Sequence, residues 1–227
     1  MKMKRISELV LYKDHHLMAL NKPSGLPSQQ DQTDDTSAHR MAMAYAHRDL
    51  YVVQRLDRRV SGVLVFAKTK QAAAALSKQW EDKKVKKIYL GIVPSADIPP
   101  AGELRHYLTY DNKQNISYAH TEPAAGADEA LLHYQVIGQL ENFMVLRIDL
   151  ISGRKHQIRA QLAALGVPIR GDIKYGSKRT NPDGAIDLHA YKLQFQHPIK
   201  QEYLKIIAPL PEEGLWQHID AEWLKGI

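Results

Sequence analysis

The chain has 227 residues, 44% of them hydrophobic, and a formal charge of +6, which is enough apolar material for a buried core and a mild bias toward polyanionic partners. It contains no cysteine, so disulfide frameworks, thiolate zinc sites, iron–sulfur clusters and cysteine nucleophiles are excluded, and any chemistry rests on oxygen and nitrogen groups. No run approaches the roughly twenty apolar residues of a membrane span, and the basic N-terminus lacks the uninterrupted apolar stretch of a signal peptide, so a cytoplasmic protein is expected.

LVLYKDHHLMALNK (9–22) predicts two short strands around the break Asp14–His16, with a turn forced at Pro23-Ser24-Gly25. Polar residues 28–37 read as a loop, and TSAHRMAMAYAHR as a helix capped by Thr36. Tyr51-Val52-Val53 is a short strand leading into the loop QRLDRRVSG. VLVFAK is then a strand, KQAAAALSKQW an Ala-rich helix ending in the basic segment KKVKK, and IYLGIV another strand. Pro94 to Asp128 is rich in Pro, Gly and polar residues and reads as loops with a hairpin around 105–120.

ALLHYQVIG and NFMVLRIDLI are strands flanking a turn at Gln139–Asn142, and SGRKHQIRAQLAALG is a helix stopped by Gly166. On it Ile158, Leu162 and Leu165 fall at i, i+4 and i+7 and face the core, while His156 and Arg159 share another face at i, i+3. DLHAYKLQFQHP and EYLKIIAP form a closing strand pair, and LWQHIDAEWL a terminal helix. Strands with interspersed helices, not strictly alternating, predict one α+β domain over 1–227, with a mixed, largely antiparallel central sheet flanked by helices and loops.

Asp57 stands between Arg55 and Arg58 in a loop joining two β-rich segments, a place where a side chain can be held rigidly, and is the candidate nucleophile. Taken alone, this loop reads more readily as a capped turn with surface arginines. Ser152-Gly153-Arg154-Lys155 has the spacing of a serine acyl-enzyme, but its companion motifs are missing, as are a nucleophile elbow, a P-loop and a dinucleotide fingerprint. The second aspartate of an aspartyl-phosphate hydrolase is replaced by Arg59, and no histidine pair has zinc-protease spacing, so no metal is expected.

The segments NKPSGL, QRLDRRVSGVLVFAK, KKIYLGIV, SGRKHQIRAQLAALGVPIRGDIKYG and LHAYKLQFQHP occur in that order. They resemble the successive motifs of the RluA-type pseudouridine synthases, from about Leu9 to about Pro209. The resemblance implies that Asp57 is the catalytic aspartate, Arg55 the arginine before it, Tyr89 the active-site tyrosine and Arg159 the arginine that pairs with the aspartate. This chain departs from the family pattern at Gln54, Val60, Ser152 and Gln161, where the family usually has His, Thr, Thr and His. An S4-like RNA-binding module is not expected, because the catalytic pattern begins at residue 9.

The implied activity is isomerisation of uridine to pseudouridine in tRNA or rRNA. That reaction has no net redox change and calls for no cofactor; it needs an ionised carboxylate in a confined site and a nearby guanidinium. Tyr89 would offer uracil an aromatic face and a phenol able to pass a proton. The target nucleotide must leave its stack, and Arg55, Arg58, Lys83, Lys84, Lys86, Lys87, Arg154 and His156 are the expected RNA contacts. The lysine run reads equally as a solvated helix end. A monomer is expected, and the competing reading is a catalytically silent RNA chaperone of the same fold.

Overall fold

The computed structural model describes residues 5–30 and 35–227. The strands among them are β1 (Val10–Lys13), β2 (Leu17–Lys22), β3 (Tyr51–Val52), β4 (Ser61–Ala67), β5 (Lys86–Pro94), β6 (Ala101–Asp111), β7 (Ile116–His120), β8 (Asp128–Gln139), β9 (Phe143–Leu150), β10 (Leu188–Gln196) and β11 (Tyr203–Ile207). The α-helices are α1 (Ile6–Leu9), α2 (Ala38–Ala46), α3 (Lys70–Glu81) and α4 (Gln157–Ala164). The chain divides into two compact units: one holds the residues up to Lys87 and Ala190–Leu210, the other Ile88–His189 and Pro211–Ile227. Every strand pair whose register is described is antiparallel.

In the first unit the strand order is β1-β2-β4-β10, with β3 also on β4 and β11 on β10. All seven residues of β4 are buried, which is why SGVLVFA reads as a continuous apolar run rather than an alternation. Its core joins Leu17, Val63, Val65, Leu193, Phe195 and Ile206 to Ala72 and Leu76, which lie at i, i+4 on α3. That helix starts where Thr69 accepts a bond from the Ala72 amide. For α2 the cap is Ser37, not the expected Thr36: its hydroxyl accepts from the Arg40 amide, and Ala38 and Ala42 face inward. Part of the expected 28–37 loop, residues 31–34, lies outside the described residues. Gly62 is required at the start of β4, because its φ is +114° and a Cβ there would stand 2.3 Å from the Ala190 carbonyl oxygen.

In the second unit the strand order is β5-β9-β8-β6-β7. The hairpin expected around 105–120 is β6 and β7, paired from Tyr107 and His120 to Asp111 and Ile116, but β6 begins earlier, at Ala101, inside the stretch expected to be loop. Only Leu104 and Leu108 of β6 are buried, so one face is solvated and its polar residues mimic loop composition. In α4 the six residues Gln157 to Leu162 are all buried, so the helix has no solvated basic face, and Leu165 is only half-buried beyond its end. The helix begins at Gln157, five residues later than SGRKHQIR suggests, with His156 in the left-handed region at φ 53° as its N-cap. Gly166, at φ +85°, follows its last turn.

The expected terminal helix is instead two 3₁₀ turns, Gly214–His218 and Ala221–Leu224, separated by extended backbone at Ile219 and Asp220. Two anchors explain the break. The Trp216 indole N–H donates to Asp187 at 3.2 Å, while the Trp223 ring lies where a Cβ on Gly138 would be, 2.2 Å away, at the point where the β8–β9 register shifts.

Candidate active site

Asp57 opens a tight turn closed by the Val60 amide donating to the Asp57 carbonyl at 3.0 Å. Leu56 and Val60 on either side are buried, so the carboxylate is presented half-exposed from an anchored loop. The anchor is the Lys22–Ser28 segment. The Ser28 hydroxyl donates to the Leu56 carbonyl at 2.7 Å and accepts from the Leu56 amide at 2.9 Å, the Gly25 amide donates to the Arg58 carbonyl at 2.8 Å, and the Ser24 hydroxyl donates to the Arg59 carbonyl at 2.8 Å. Lys22 is fully buried, and its ammonium donates to the carbonyls of Pro23 (3.0 Å), Leu26 (2.8 Å) and Arg58 (3.2 Å), three acceptors for three protons. Burial pushes Lys22 down to about 7, while the Asp57 carboxylate pulls it back up and Arg58 pushes it down.

Arg55 and Arg58 are exposed. Arg58 donates through Nε to the Gly25 carbonyl at 2.9 Å and pairs with Asp35, so part of its fork is already used. Gln54 donates to the Val63 carbonyl at 3.0 Å and ties the approach to the loop onto β4. In the lysine run Val85 points into the core, Lys83, Lys84 and Lys86 are exposed, and Lys84 pairs with Asp82 at 3.0 Å. Lys86 and Lys87 open β5 and are not part of the helix end. Lys87 is half-buried; burial, then the Lys83 charge, push it down to about 8.

Tyr89 is a half-buried residue of β5, opposite Ile148 of β9 and between buried Ile88 and Leu90. In the same unit Arg159 is almost wholly buried and forms a two-pronged pair with Asp172, Nε to Oδ2 at 2.7 Å and a terminal nitrogen to Oδ1 at 2.8 Å. Its guanidinium also lies 4.8 Å from the centre of the Tyr175 ring. The Tyr175 hydroxyl accepts from the Ser117 amide at 2.8 Å and meets His156 Nδ1 at 3.0 Å. Burial raises the Tyr175 phenol, and a donated hydrogen bond from Ser117 lowers it. His156 is buried between the Tyr110 and Tyr175 rings. Arg154 is exposed and pairs with Asp128 at 3.4 Å.

Three groups escaped attention in the sequence: Lys22, Asp172 and Tyr175. Each lies in a segment already singled out, NKPSGL or GDIKYG. The signal was a charged or aromatic residue inside a motif; what it touches depends on chain segments far away in sequence. Among the described residues, no group of three or more His, Asp or Glu side chains could hold a metal ion, and no helix is long and apolar enough to cross a membrane.

Residues 16–164 match the family model described as RNA pseudouridylate synthase. The chain is 34% identical over 227 residues to the dual-specificity RNA pseudouridine synthase RluA of Vibrio cholerae, covering 94% of this chain and 89% of that protein. It is 33% identical to tRNA pseudouridine synthase C of Haemophilus ducreyi, covering 92% of each. It is 32% identical to ribosomal large subunit pseudouridine synthase D of Xylella fastidiosa, covering 90% of this chain but only 66% of that protein, just under two thirds of its length. The fold is similar to that of human RNA pseudouridylate synthase domain containing 4, with a TM-score of 0.73 and 23% identity over 91% of this chain and 90% of that one. This chain belongs to the RNA pseudouridylate synthase family.

Proposed function

We propose that this chain converts uridine to pseudouridine in a structured tRNA or rRNA stem-loop, with Asp57 as nucleophile and Tyr89 and Arg159 as the other catalytic groups. The observation that carries the reading is that the family match over residues 16–164 contains all three. The reaction breaks the ribose C1′–N1 bond and forms C1′–C5; C5 loses a proton and N1 gains one, so atoms balance without an external reagent and no cofactor is invoked. Asp57 stabilises or attacks the ribose carbon, and Tyr89 gives the detached uracil an aromatic face and a phenol to pass the proton. Arg55, Arg58, Lys83, Lys84, Lys86, Lys87, Arg154 and His156 are proposed RNA contacts, of which the exposed cations suit phosphates best. The whole chain acts as one catalytic domain, as a monomer, in the cytoplasm.

Incubation of the purified protein with tRNA and rRNA transcripts, followed by chemical labelling of pseudouridine, tests this reading. One new pseudouridine at a defined position is expected, matched by a missing one in total RNA from a deletion strain. No pseudouridine in either RNA pool would leave an RNA-binding protein without turnover.

A further inference from the structure

We propose that Gln157 and Gln161 are positioning residues for Arg159, acting through a one-directional amide ladder that fixes how α4 sits on β6 and β8. The proposal rests on the reading of Arg159 as a catalytic group and gives a role to two positions at which this chain departs from the family pattern, Ser152 and Gln161.

Helix α4 is short, and its N-cap His156 supplies no side-chain cap. Ile158 and Leu162 bury apolar surface, but apolar contact is non-directional and leaves rotation and sliding poorly defined. A continuous ladder supplies the direction. The Leu131 amide donates to Ser152 Oγ at 2.7 Å, and that hydroxyl donates to Gln157 Oε1 at 2.9 Å. Gln157 Oε1 also accepts from the Arg154 amide at 3.0 Å. Gln157 Nε2 donates to the Leu131 carbonyl at 3.1 Å and to Gln161 Oε1 at 3.0 Å. Gln161 Nε2 then faces the Leu104 carbonyl at 2.8 Å, the Ala130 carbonyl at 3.2 Å and His106 Nδ1 at 3.1 Å.

Both amides are buried, Gln157 2% and Gln161 0% exposed, so water cannot substitute for a lost bond. Flipping either one would set carbonyl oxygen against carbonyl oxygen, so the chain of donors runs one way only. Gln161 Nε2 has two protons for the Leu104 and Ala130 carbonyls, with His106 Nδ1 also within reach. Arg159 lies between the two rungs on the same helix and reaches Asp172 with its fork, a pairing that tolerates little displacement. The ladder holds the helix in the one register in which that fork closes.

The test uses Gln161→Met, similar in length and without polar atoms, in the full chain. Its first arm follows hydrogen exchange at the Arg159 Nε–H, which should accelerate about tenfold as the pair with Asp172 loosens. In the second, kcat on a substrate transcript should fall about tenfold with KM within about twofold, since small misplacements of a catalytic group act on turnover. In an Arg159→Lys background the same substitution should cost less than about twofold more, because there is no fork left to position. Unchanged Nε–H exchange, or equal fractional losses of kcat in the two backgrounds, overturns the proposal. If Gln161→Met does not fold, Ser152→Ala breaks only the outer rung and should give the same pattern at about threefold; a wild-type pattern there overturns it too. A wild-type chain that forms no pseudouridine sinks the activity reading, while the Nε–H arm still decides on the ladder.

Discussion

Around Asp57 the fixing groups are main-chain carbonyls and amides, gathered by one buried lysine and two serines from a segment some thirty residues earlier. Around Arg159 they are side chains: a buried carboxylate, an aromatic ring and a ladder of two glutamines. The first arrangement presents a half-exposed carboxylate from an anchored loop; the second buries the charge in a two-pronged pair. A substitution at Asp57 should therefore be read first in turnover and one at Arg159 in both turnover and stability, because the latter leaves the fully buried Asp172 without its two-pronged partner.

The largest effect is expected for Asp57→Asn. Single-turnover pseudouridine formation should fall by on the order of 10⁴-fold, with RNA affinity within about threefold. Near wild-type turnover would remove Asp57 from the active site. Next comes Arg159→Ala, expected to lower stability by about 3–5 kcal/mol in denaturant unfolding because Asp172 is left buried and unpaired. Arg159→Lys keeps the charge without the planar fork, and should lose about 10²-fold in turnover at a smaller cost in stability.

Lys22 sharpens the comparison through pH. Its folded value, about 7, is below the ordinary 10.5, so between those values the unfolded chain holds a proton that the folded chain has lost. Its contribution should make stability rise as pH increases from about 7 toward 10.5. Lys87, at about 8, titrates in the same window, so the quantity to measure is the difference in unfolding free energy between wild type and Lys22→Met across that range. A difference that does not change with pH would mean that the three carbonyls hold the ammonium charged throughout. The smallest effect belongs to the exposed lysines: Lys83→Gln with Lys86→Gln should leave stability within about 0.5 kcal/mol and reduce the salt slope of RNA binding by about one unit per lost phosphate contact. An unchanged slope would make them solvated surface.

Much of the strand framework was legible because it is written in short-range pattern. The apolar run of β4, the turn between β8 and β9 and the Ala-rich α3 all appear where composition and periodicity place them. Elements that failed did so for tertiary reasons. The start of β6, ahead of the expected hairpin, reads as loop because its exposed face is polar, and the terminal helix is broken because Trp216 and Trp223 dock at separate places. On α4, burial of Gln157 to Leu162 turns the arginine and the two glutamines inward.

The ordered motifs, through their residue types, determined the family, the antiparallel α+β character and the candidate groups Asp57, Tyr89 and Arg159. Only the tertiary structure decided what those groups rest on: Lys22 under the Asp57 loop, Asp172 on the Arg159 fork, and Gln157 and Gln161 along α4. The physical reason is that a buried charge or amide is satisfied by whichever donor or acceptor the fold brings within about 3 Å. Gln161 and the Leu104 carbonyl are 57 residues apart in the chain, so no local pattern of residues announces their bond.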